Sequence, residues 1–398
     1  MQNNHQVGIL SIGTAVPAHE AKQADVVAWM TQAYAGQPVF GRWLRALFAN
    51  SGVETRYSCI EDYMQPPQTA RFSPGQPLQT MPTTADRMAI YQRESVPLGV
   101  TAATRALTVL AETTGQSLAD ATASITHLVA VTCTGFFAPG IDLAIARQLG
   151  LPLTIGRTII GFMGCSAAFN GLRTAHQIVR GQPEARVLVV CVELCSLHIQ
   201  PNADREHLIA ASLFADGASA AVVGVPQIHQ DNFFLLDNFH TEVKPDTTDE
   251  MVWQIGNHGF TLRLSPQIPK HLAQVAPGAL RSLFAEEAVD FWAIHPGGPA
   301  ILDRMVEVFG LDPAQIAASR TVLRRYGNLS SATILFVLEE LRRTLAETNR
   351  QGKTQSGVAM AFGPGLVIEM VRLTYLPPQT ATHQPSVVAR NGNLLEPA

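Results

Sequence analysis

The sequence places a cysteine at the junction between an apolar run and a helical pattern. Cys165 lies in GFMGCSAAFNG, where Gly164 permits a sharp bend and small residues begin the helix. The positive end of a helix lowers the pKa of a nearby thiol and stabilises the thiolate, which is the nucleophilic form. Cys165 is therefore a candidate nucleophile, with an inert buried thiol as the alternative.

Two further reactive side chains come from the second half of the chain. His295 ends the apolar run FWAIH before a Pro-Gly-Gly turn, which predicts that its ring lies at the carboxyl edge of a sheet or is structural. Asn328, in YGNLSSAT, precedes a helix and is either a reactive amide or a capping residue. A thiol, an imidazole and a carboxamide supply the nucleophile, the ionisable partner and the neutral donor that acyl transfer through an oxyanion requires.

The composition excludes several classes of protein. Charged residues make up 15% of the chain, against roughly 25% in a typical soluble domain, so much surface must be buried in a core or against another subunit. A net charge of -4 leaves no basic excess for binding nucleic acid. The N-terminus does not resemble a signal peptide, and no apolar run approaches the roughly 18 residues of a membrane helix. We therefore expect a cytoplasmic protein.

The cysteines are too few and too scattered to form a disulfide framework, and no pair of cysteines or histidines completes a zinc site. We expect Cys191 and Cys195, which lie in an apolar segment, to be buried thiols, and we expect no metal. The full set is Cys59, Cys133, Cys165, Cys191 and Cys195.

Short apolar runs alternate with helical patterns, which indicates an α/β fold with sheets covered on both faces. The composition becomes polar and acidic after residue 226, and the second half then repeats the order of the first. We predict two related halves, 1–227 with the cysteine and 228–376 with the histidine and asparagine, followed by a flexible polar tail at 377–398. The predicted strands include 127–133, 186–194 and 289–298, and the predicted helices include 166–179, 299–309 and 329–347.

Five motifs, in order and correctly separated, together resemble the type III polyketide synthases of the chalcone synthase superfamily. The resemblance covers nearly the whole chain, from residue 11 to residue 373. It implies a thiolase-like fold of two halves in αβαβα layers, a homodimer, and a catalytic triad of Cys165, His295 and Asn328. The motifs are GFMGC, SLFADGA, WAIHPGG, RRYGNLSSATILFVLEEL and AFGPGLVIE.

The resemblance also implies a reaction. Cys165 takes an acyl group from an acyl-CoA starter, and malonyl-CoA then loses carbon dioxide to give an enolate that attacks the thioester. His295 and Asn328 stabilise the negative charge on oxygen in both steps. The cycle repeats before cyclisation to a resorcinol, phloroglucinol or pyrone-type product. The CoA thioesters are substrates, and no resident cofactor is expected.

Several residues match the positions that shape the cavity in this family. Phe214, in SLFADG, matches an aromatic gate between the CoA tunnel and the cavity, whereas Leu262 stands where the family has a second gating Phe. Cys133 and His198 replace the Thr of plant members, and Trp253 replaces a Gly. These departures resemble bacterial members, including those that make alkylresorcinols and alkylpyrones from fatty acyl-CoA. For His198 a satisfied structural role is the alternative.

Other matches are weaker. Arg42 and Arg45 lie beside the positions that grip the CoA phosphates in plant members, and they either bind CoA or are solvated helix charges. Gly363-Pro364-Gly365 matches a turn beside the active site, where it sets the shape of the backbone. Ser330 is either a wall of the cavity or a helix cap.

Two alternative functions share much of this pattern. A ketoacyl-acyl carrier protein synthase of type III has the same fold and triad, but a different sequence follows its histidine, whereas this chain has WAIHPGG and AFGPG. A non-catalytic thiolase-fold protein that binds acyl-CoA is the other alternative, and the presence of both Cys165 and His295 argues against it.

Overall fold

The computed structural model describes residues 5–34, 38–74, 76–200, 204–349 and 351–378, with the side chains of 38–40 left aside. All but the first two residues of the predicted tail lie outside these ranges. The strands are β1 (Gly8–Ala15), β2 (His19–Lys22), β3 (Thr55–Ser58), β4 (His127–Thr132), β5 (Gly156–Gly161), β6 (Val187–Leu194), β7 (Asp216–Gly224), β8 (Phe233–Val243), β9 (Met251–Gly256), β10 (Gly259–Leu264), β11 (Phe291–Ile294), β12 (Gln355–Gly363) and β13 (Val367–Leu376).

The α-helices between the strands vary from one and a half turns to more than eight turns. They are α1 (Gln23–Ala33), α2 (Pro38–Ala49), α3 (Thr84–Thr114), α4 (Leu118–Ala123), α5 (Ile141–Leu149), α6 (Ala167–Gly181), α7 (Arg205–Leu213), α8 (Ile268–Phe284), α9 (Pro299–Phe309), α10 (Ala317–Tyr326) and α11 (Thr333–Thr348). In the part of the chain that the structure describes, no helix combines the length and the apolar character needed to cross a membrane.

Two half-sheets join edge to edge into one sheet of nine strands, in the order β11-β12-β13-β8-β1-β7-β6-β4-β5. The junction is the antiparallel pairing of β8 with β1, where Gly8 faces Leu235 and Ile9 faces Phe234. The boundary predicted at residue 227 falls in the connection between β7 and β8. Each half therefore contributes its own strands to the sheet.

The packing of the helices confirms the predicted αβαβα layers. Helices α6 and α11 lie in a buried core that also contains side chains from both half-sheets. Helix α3 and helix α5 cover the outer face of the N-terminal half-sheet, and α8 and α9 cover that of the C-terminal half-sheet. Strand β1 packs closely on α3 because Gly13 has no Cβ. A Cβ at this position would lie 2.3 Å from the carbonyl oxygen of Ala102.

Local signals explain where the key elements begin and end. Every residue of β6 and β7 is buried, in agreement with the nearly continuous apolar run of β6 and the small residues of β7. Helix α3 begins at a capping box formed by Thr83 and Asp86 and ends at Gly115 in the left-handed conformation. These signals set the two ends of α3, and its buried face packs on β1, β6 and β7.

Candidate active site

Cys165 lies on a tight turn between β5 and α6. A single 3-10 turn, Gly164–Ser166, leads directly into α6, so the thiol stands at the amino end of that helix. Gly164 has a φ of +65°, and a Cβ on it would lie 2.3 Å from Cδ of Pro364. The glycine before the nucleophile is therefore required both by backbone conformation and by contact with the second half of the chain.

The turn Gly363-Pro364-Gly365 supports this loop from behind. Pro364 contacts Gly164, and a Cβ on Gly363 would lie 2.3 Å from Oγ of Ser166. Gly365 has a φ of +77° and donates its N–H to the carbonyl oxygen of Met251 at 3.0 Å. Pro364 lines the same cavity as the thiol, whereas Gly363 and Gly365 do not. The turn thus fixes the backbone of the nucleophile loop.

Asn328 is held by both its backbone and its side chain. Its backbone N–H donates to the carbonyl oxygen of Leu213 at 2.8 Å, and its carbonyl oxygen accepts from Ala215 N–H at 3.0 Å. Its side-chain Oδ1 accepts from Ser330 N–H at 2.9 Å and lies 4.0 Å from Sγ of Cys165. Its Nδ2 has one long contact, 3.4 Å to the carbonyl oxygen of Gly297. The amide is oriented through Oδ1, which leaves donor capacity on Nδ2.

His295 directly follows β11 and is almost wholly buried. Its backbone N–H donates to Met360 on the neighbouring strand β12 at 2.8 Å, which fixes the main chain. Neither ring nitrogen has a hydrogen-bond partner among the described residues. A buried imidazole without a partner is costly in a structure, and it fits a ring whose partner arrives with a ligand.

Cys165, His295 and Asn328 line one cavity of about 440 Å³, although they come from opposite halves of the chain. The rest of its wall is mostly apolar. Seven other residues predicted for the site also line it: Cys133, His198, Phe214, Trp253, Leu262, Ser330 and Pro364. Arg42 and Arg45 are exposed on α2 and do not line the cavity, whereas Leu47 of the same helix and Asn50, the residue after the helix, do.

Burial controls the protonation of the reactive pair. Burial raises the pKa of the Cys165 thiol to about 12, although hydrogen bonds with Ser330 and Asn328 lower it. Burial also lowers the pKa of His295 to about 3. The prediction that the helix end lowers the pKa of the Cys165 thiol is therefore wrong, because the loss of solvation raises this pKa by more than the surrounding groups lower it. A lone charge on either group is therefore disfavoured in the cavity.

His198 has its hydrogen-bonding capacity satisfied. Its Nδ1 accepts from Phe260 N–H at 2.9 Å, which places the proton on Nε2, and Nε2 then donates to the carbonyl oxygen of Thr134 at 2.8 Å. The ring stacks on Phe260 at 4.3 Å, and Trp253 meets it edge-on at 5.4 Å. Burial lowers the pKa of His198 to about 3. This geometry favours the structural interpretation of His198 as a fixed part of the wall.

Trp253 is fixed by the same cluster. Its indole Nε1–H donates to the carbonyl oxygen of Cys133 at 2.7 Å, and its ring packs against Phe260 with centroids 5.6 Å apart. The bond crosses from β9 to the loop after β4, so the hairpin of β9 and β10 is tied down over the cavity. Trp253 therefore occupies cavity space as a rigid wall.

Glu193 is a buried carboxyl group that the sequence analysis did not single out. It accepts a hydrogen bond from Cys133 N–H at 3.0 Å and from the Thr134 hydroxyl at 2.8 Å, and it also accepts from the Ser331 hydroxyl. Burial raises its pKa to about 7. A lone acidic residue inside the apolar run RVLVVCVEL was the signal in the sequence. It joins the loop carrying Cys133 to the segment after Asn328.

Comparisons with known proteins identify the family. The N-terminal and C-terminal domain models of the chalcone and stilbene synthases match residues 1–226 and 236–377, so the chain belongs to this family. The chain is 33% identical over 382 residues to the alpha-pyrone synthesis polyketide synthase-like Pks18 of Mycobacterium tuberculosis, covering 92% of this chain and 94% of that protein. It is 34% identical over 373 residues to type III polyketide synthase 21 of rice, covering 91% and 92%.

Solved structures agree with these sequence relatives. The structure of PKS-I from the brown alga Ectocarpus siliculosus superposes with a TM-score of 0.83 at 30% identity, covering 94% of this chain and 99% of that one. The C-terminal type III polyketide synthase domain of Steely1 from Dictyostelium gives a TM-score of 0.82 at 27% identity, covering 93% and 99%. The chain is therefore a type III polyketide synthase, an acyltransferase-type enzyme of thiolase-like fold.

The buried carboxyl group of Glu193 gives a testable pH dependence. Because its pKa rises from 4.5 to about 7 on folding, the folded protein retains a proton that the unfolded chain releases, and stability is lost as the pH rises between these values. We predict that, as the pH rises from 4.5 to 7, the free energy of unfolding of Glu193→Gln increases relative to that of the wild type by up to about 3 kcal/mol. Urea unfolding of both proteins across this range measures the difference, and a constant difference would contradict the assignment.

Proposed function

We propose that the enzyme condenses malonyl-CoA iteratively onto a fatty acyl starter held as a thioester on Cys165, and that it cyclises the chain to a pyrone or resorcinol. The observation that carries this proposal is the meeting of Cys165, His295 and Asn328 in one apolar cavity. The apolar wall suits an alkyl chain. The similarity to Pks18, whose name records alpha-pyrone synthesis, supports the choice of product class.

Loading begins with transfer of the Cys165 proton to His295. The thiolate attacks the carbonyl carbon of the acyl-CoA, and the C–S bond to CoA breaks as the tetrahedral oxyanion collapses. The proton on His295 then passes to the departing CoA thiolate, so the ion pair is discharged. Nδ2 of Asn328 and the ring N–H of His295 are the donors that face the oxyanion, and the water-poor cavity strengthens both interactions.

Extension uses the same donors on a different oxygen. Malonyl-CoA loses carbon dioxide, and the two electrons of the broken C–C bond move into an enolate whose oxygen accepts hydrogen bonds from Asn328 and His295. The enolate carbon attacks the thioester on Cys165, so a C–C bond forms and the C–S bond to the enzyme breaks. The released thiolate takes up one proton from water by way of His295, and this proton serves the CoA that leaves in the next loading. The lengthened chain leaves as a CoA thioester and is loaded again. Phe214 and Leu262 both line the cavity, which supports a role for them in guiding the chain towards the thiol.

We further propose that two copies associate through the β5 edge of the sheet. Strand β5 ends the nine-stranded sheet, and Phe136, Ile159 and Met163 expose apolar surface at or beside it. An uncovered edge with apolar side chains is a site for pairing with another chain. A second copy would bury this surface, consistent with the homodimer that the family resemblance implies.

The nucleophile can be tested by covalent chemistry. We predict that Cys165→Ala loses at least about 1000-fold in product formation, since no thioester can form, and that intact mass spectrometry detects no acyl adduct after incubation with acyl-CoA. Cys195→Ala is the matched control, because Cys195 lines the same cavity and its loss should leave acylation intact. Full turnover by Cys165→Ala would rule out the triad.

The rigid wall gives a test of cavity size. Supplied with malonyl-CoA and acyl-CoA starters of increasing length, the wild type should prefer fatty acyl starters to aromatic ones. Trp253→Gly should shift the products towards longer chains or more extensions, because the indole volume becomes available. Product masses provide the measurement, with Trp292→Phe in the outer core as the control. An unchanged product profile in Trp253→Gly would show that Trp253 does not limit the chain.

The dimer proposal predicts a specific dissociation. Ile159→Lys places a charge in the proposed interface and should yield monomers, measured by light scattering coupled to size-exclusion chromatography. Ile228→Lys is the control, because Ile228 is equally apolar and highly exposed but lies in the connection between β7 and β8. Equal masses for Ile159→Lys and the wild type, or dissociation of the control, would argue against the β5 edge.

A further inference from the structure

Arg56, on β3, is an arginine whose charged group is buried away from any substrate. The residue is 1% exposed. Its guanidinium donates to the carbonyl oxygens of Ala211, Ser212 and Phe214 and to Oε1 of Gln23. Arg56 is not among the residues that line the cavity. A fully buried charge needs a reason, because its desolvation is costly unless its partners compensate.

Three of the four acceptors of Arg56 lie at the carboxyl end of α7: the carbonyls of Ala211 and Ser212 in its last turn and that of Phe214, the next residue. The last carbonyls of a helix have no partner within the helix, and they form its negative end. Arg56 donates to the carbonyl oxygens of residues 211, 212 and 214. The carbonyl oxygen between them, on Leu213, accepts a hydrogen bond from the backbone N–H of Asn328. One helical turn therefore connects the guanidinium to the backbone of Asn328.

The same turn also carries Phe214. Phe214 follows the last residue of α7 and forms an isolated parallel bridge with Asn328, in which Ala215 N–H donates to the carbonyl oxygen of Asn328. A loss of the Arg56 bonds would remove these donors from the carbonyls of Ala211 and Phe214, next to this bridge, and would leave the Ser212 carbonyl with Gln23 Nε2 alone, at 2.9 Å. The bridge would then be free to move, and Asn328 would move with it.

The charge of Arg56 is balanced locally. Burial lowers its pKa, whereas Tyr63 and the buried carboxyl group of Asp216 raise it. Asp216 is itself held by the backbone N–H groups of Ser196 and Cys59, both at 2.7 Å. The guanidinium thus lies at the carboxyl end of α7, where four hydrogen bonds hold it in one position.

We propose that Arg56 is a positioning residue for the condensation: through the last turn of α7 it holds Phe214 at the cavity and Asn328 at the reacting oxygen. This inference rests on the role of Asn328 in the proposed function. A planar guanidinium can bond four acceptors in one plane, whereas a lysine ammonium has three donors and no fork. Arg56→Lys therefore keeps the charge but loses the geometry.

A double-mutant cycle tests the proposal. Malonyl-CoA decarboxylation is measured for the wild type, Arg56→Lys, Asn328→Ala and the double variant. Each rate is divided by the concentration of enzyme whose Cys165 is labelled by iodoacetamide. Arg56→Lys should lower kcat on the order of 10- to 100-fold with little change in KM, because a misplaced donor acts on the transition state. In the Asn328→Ala background the same change should cost no more than about 2-fold, since the donor is already absent.

Controls separate positioning from general damage. Arg87→Lys alters another buried arginine, whose acceptors are the carbonyls of Pro82, Leu197 and Ile199, and its effect should add to that of Asn328→Ala. If Arg56→Lys does not fold, Gln23→Met removes one acceptor of Arg56 and should show the same non-additivity. Additive effects of the Arg56 and Asn328 substitutions would overturn the positioning role of Arg56 but would leave the proposed triad intact. Full decarboxylation by Asn328→Ala would overturn the triad as well.

Discussion

The whole site depends on a close backbone contact between the two halves of the chain. The loop before Cys165 and the turn at Pro364 approach so closely that neither Gly164 nor Gly363 has room for a Cβ. Steric exclusion of this kind acts over tenths of an ångström, so it fixes distance more sharply than a salt bridge on the surface would. The nucleophile from the first half therefore faces the groups that the second half supplies.

The same contact explains why burial and reactivity occur together. Packing the two halves around α6 and α11 removes water from Cys165 and His295, and that loss of solvation shifts both pKa values away from the charged forms. A low-dielectric cavity penalises an isolated charge but strengthens each donor aimed at an oxyanion. The cavity therefore favours reactions in which charge appears only briefly and beside a partner, as in acyl transfer and decarboxylation.

Sequence patterns predicted the parts of this structure that depend on local signals. Continuous apolar runs located β4, β6 and β11, and the glycine before Cys165 predicted the turn into α6. Helix α3 was not among the predicted elements, although its capping box and its C-terminal glycine were visible in the sequence. The thiol pKa was predicted in the wrong direction because a local pattern contains the helix end but not the burial imposed by residues more than a hundred positions away.

Long-range contacts also decide which polar residues are available to a ligand and which hold the cavity wall in place. His198 and His295 are both buried and both have lowered pKa values, yet His198 has partners on both ring nitrogens and His295 has none among the described residues. Residue type alone does not separate them, since each is a histidine near the end of an apolar segment. The difference lies in Thr134 and Phe260, which satisfy the first ring. An unsatisfied ring in a cavity is available to a ligand, and a satisfied one keeps the wall in place.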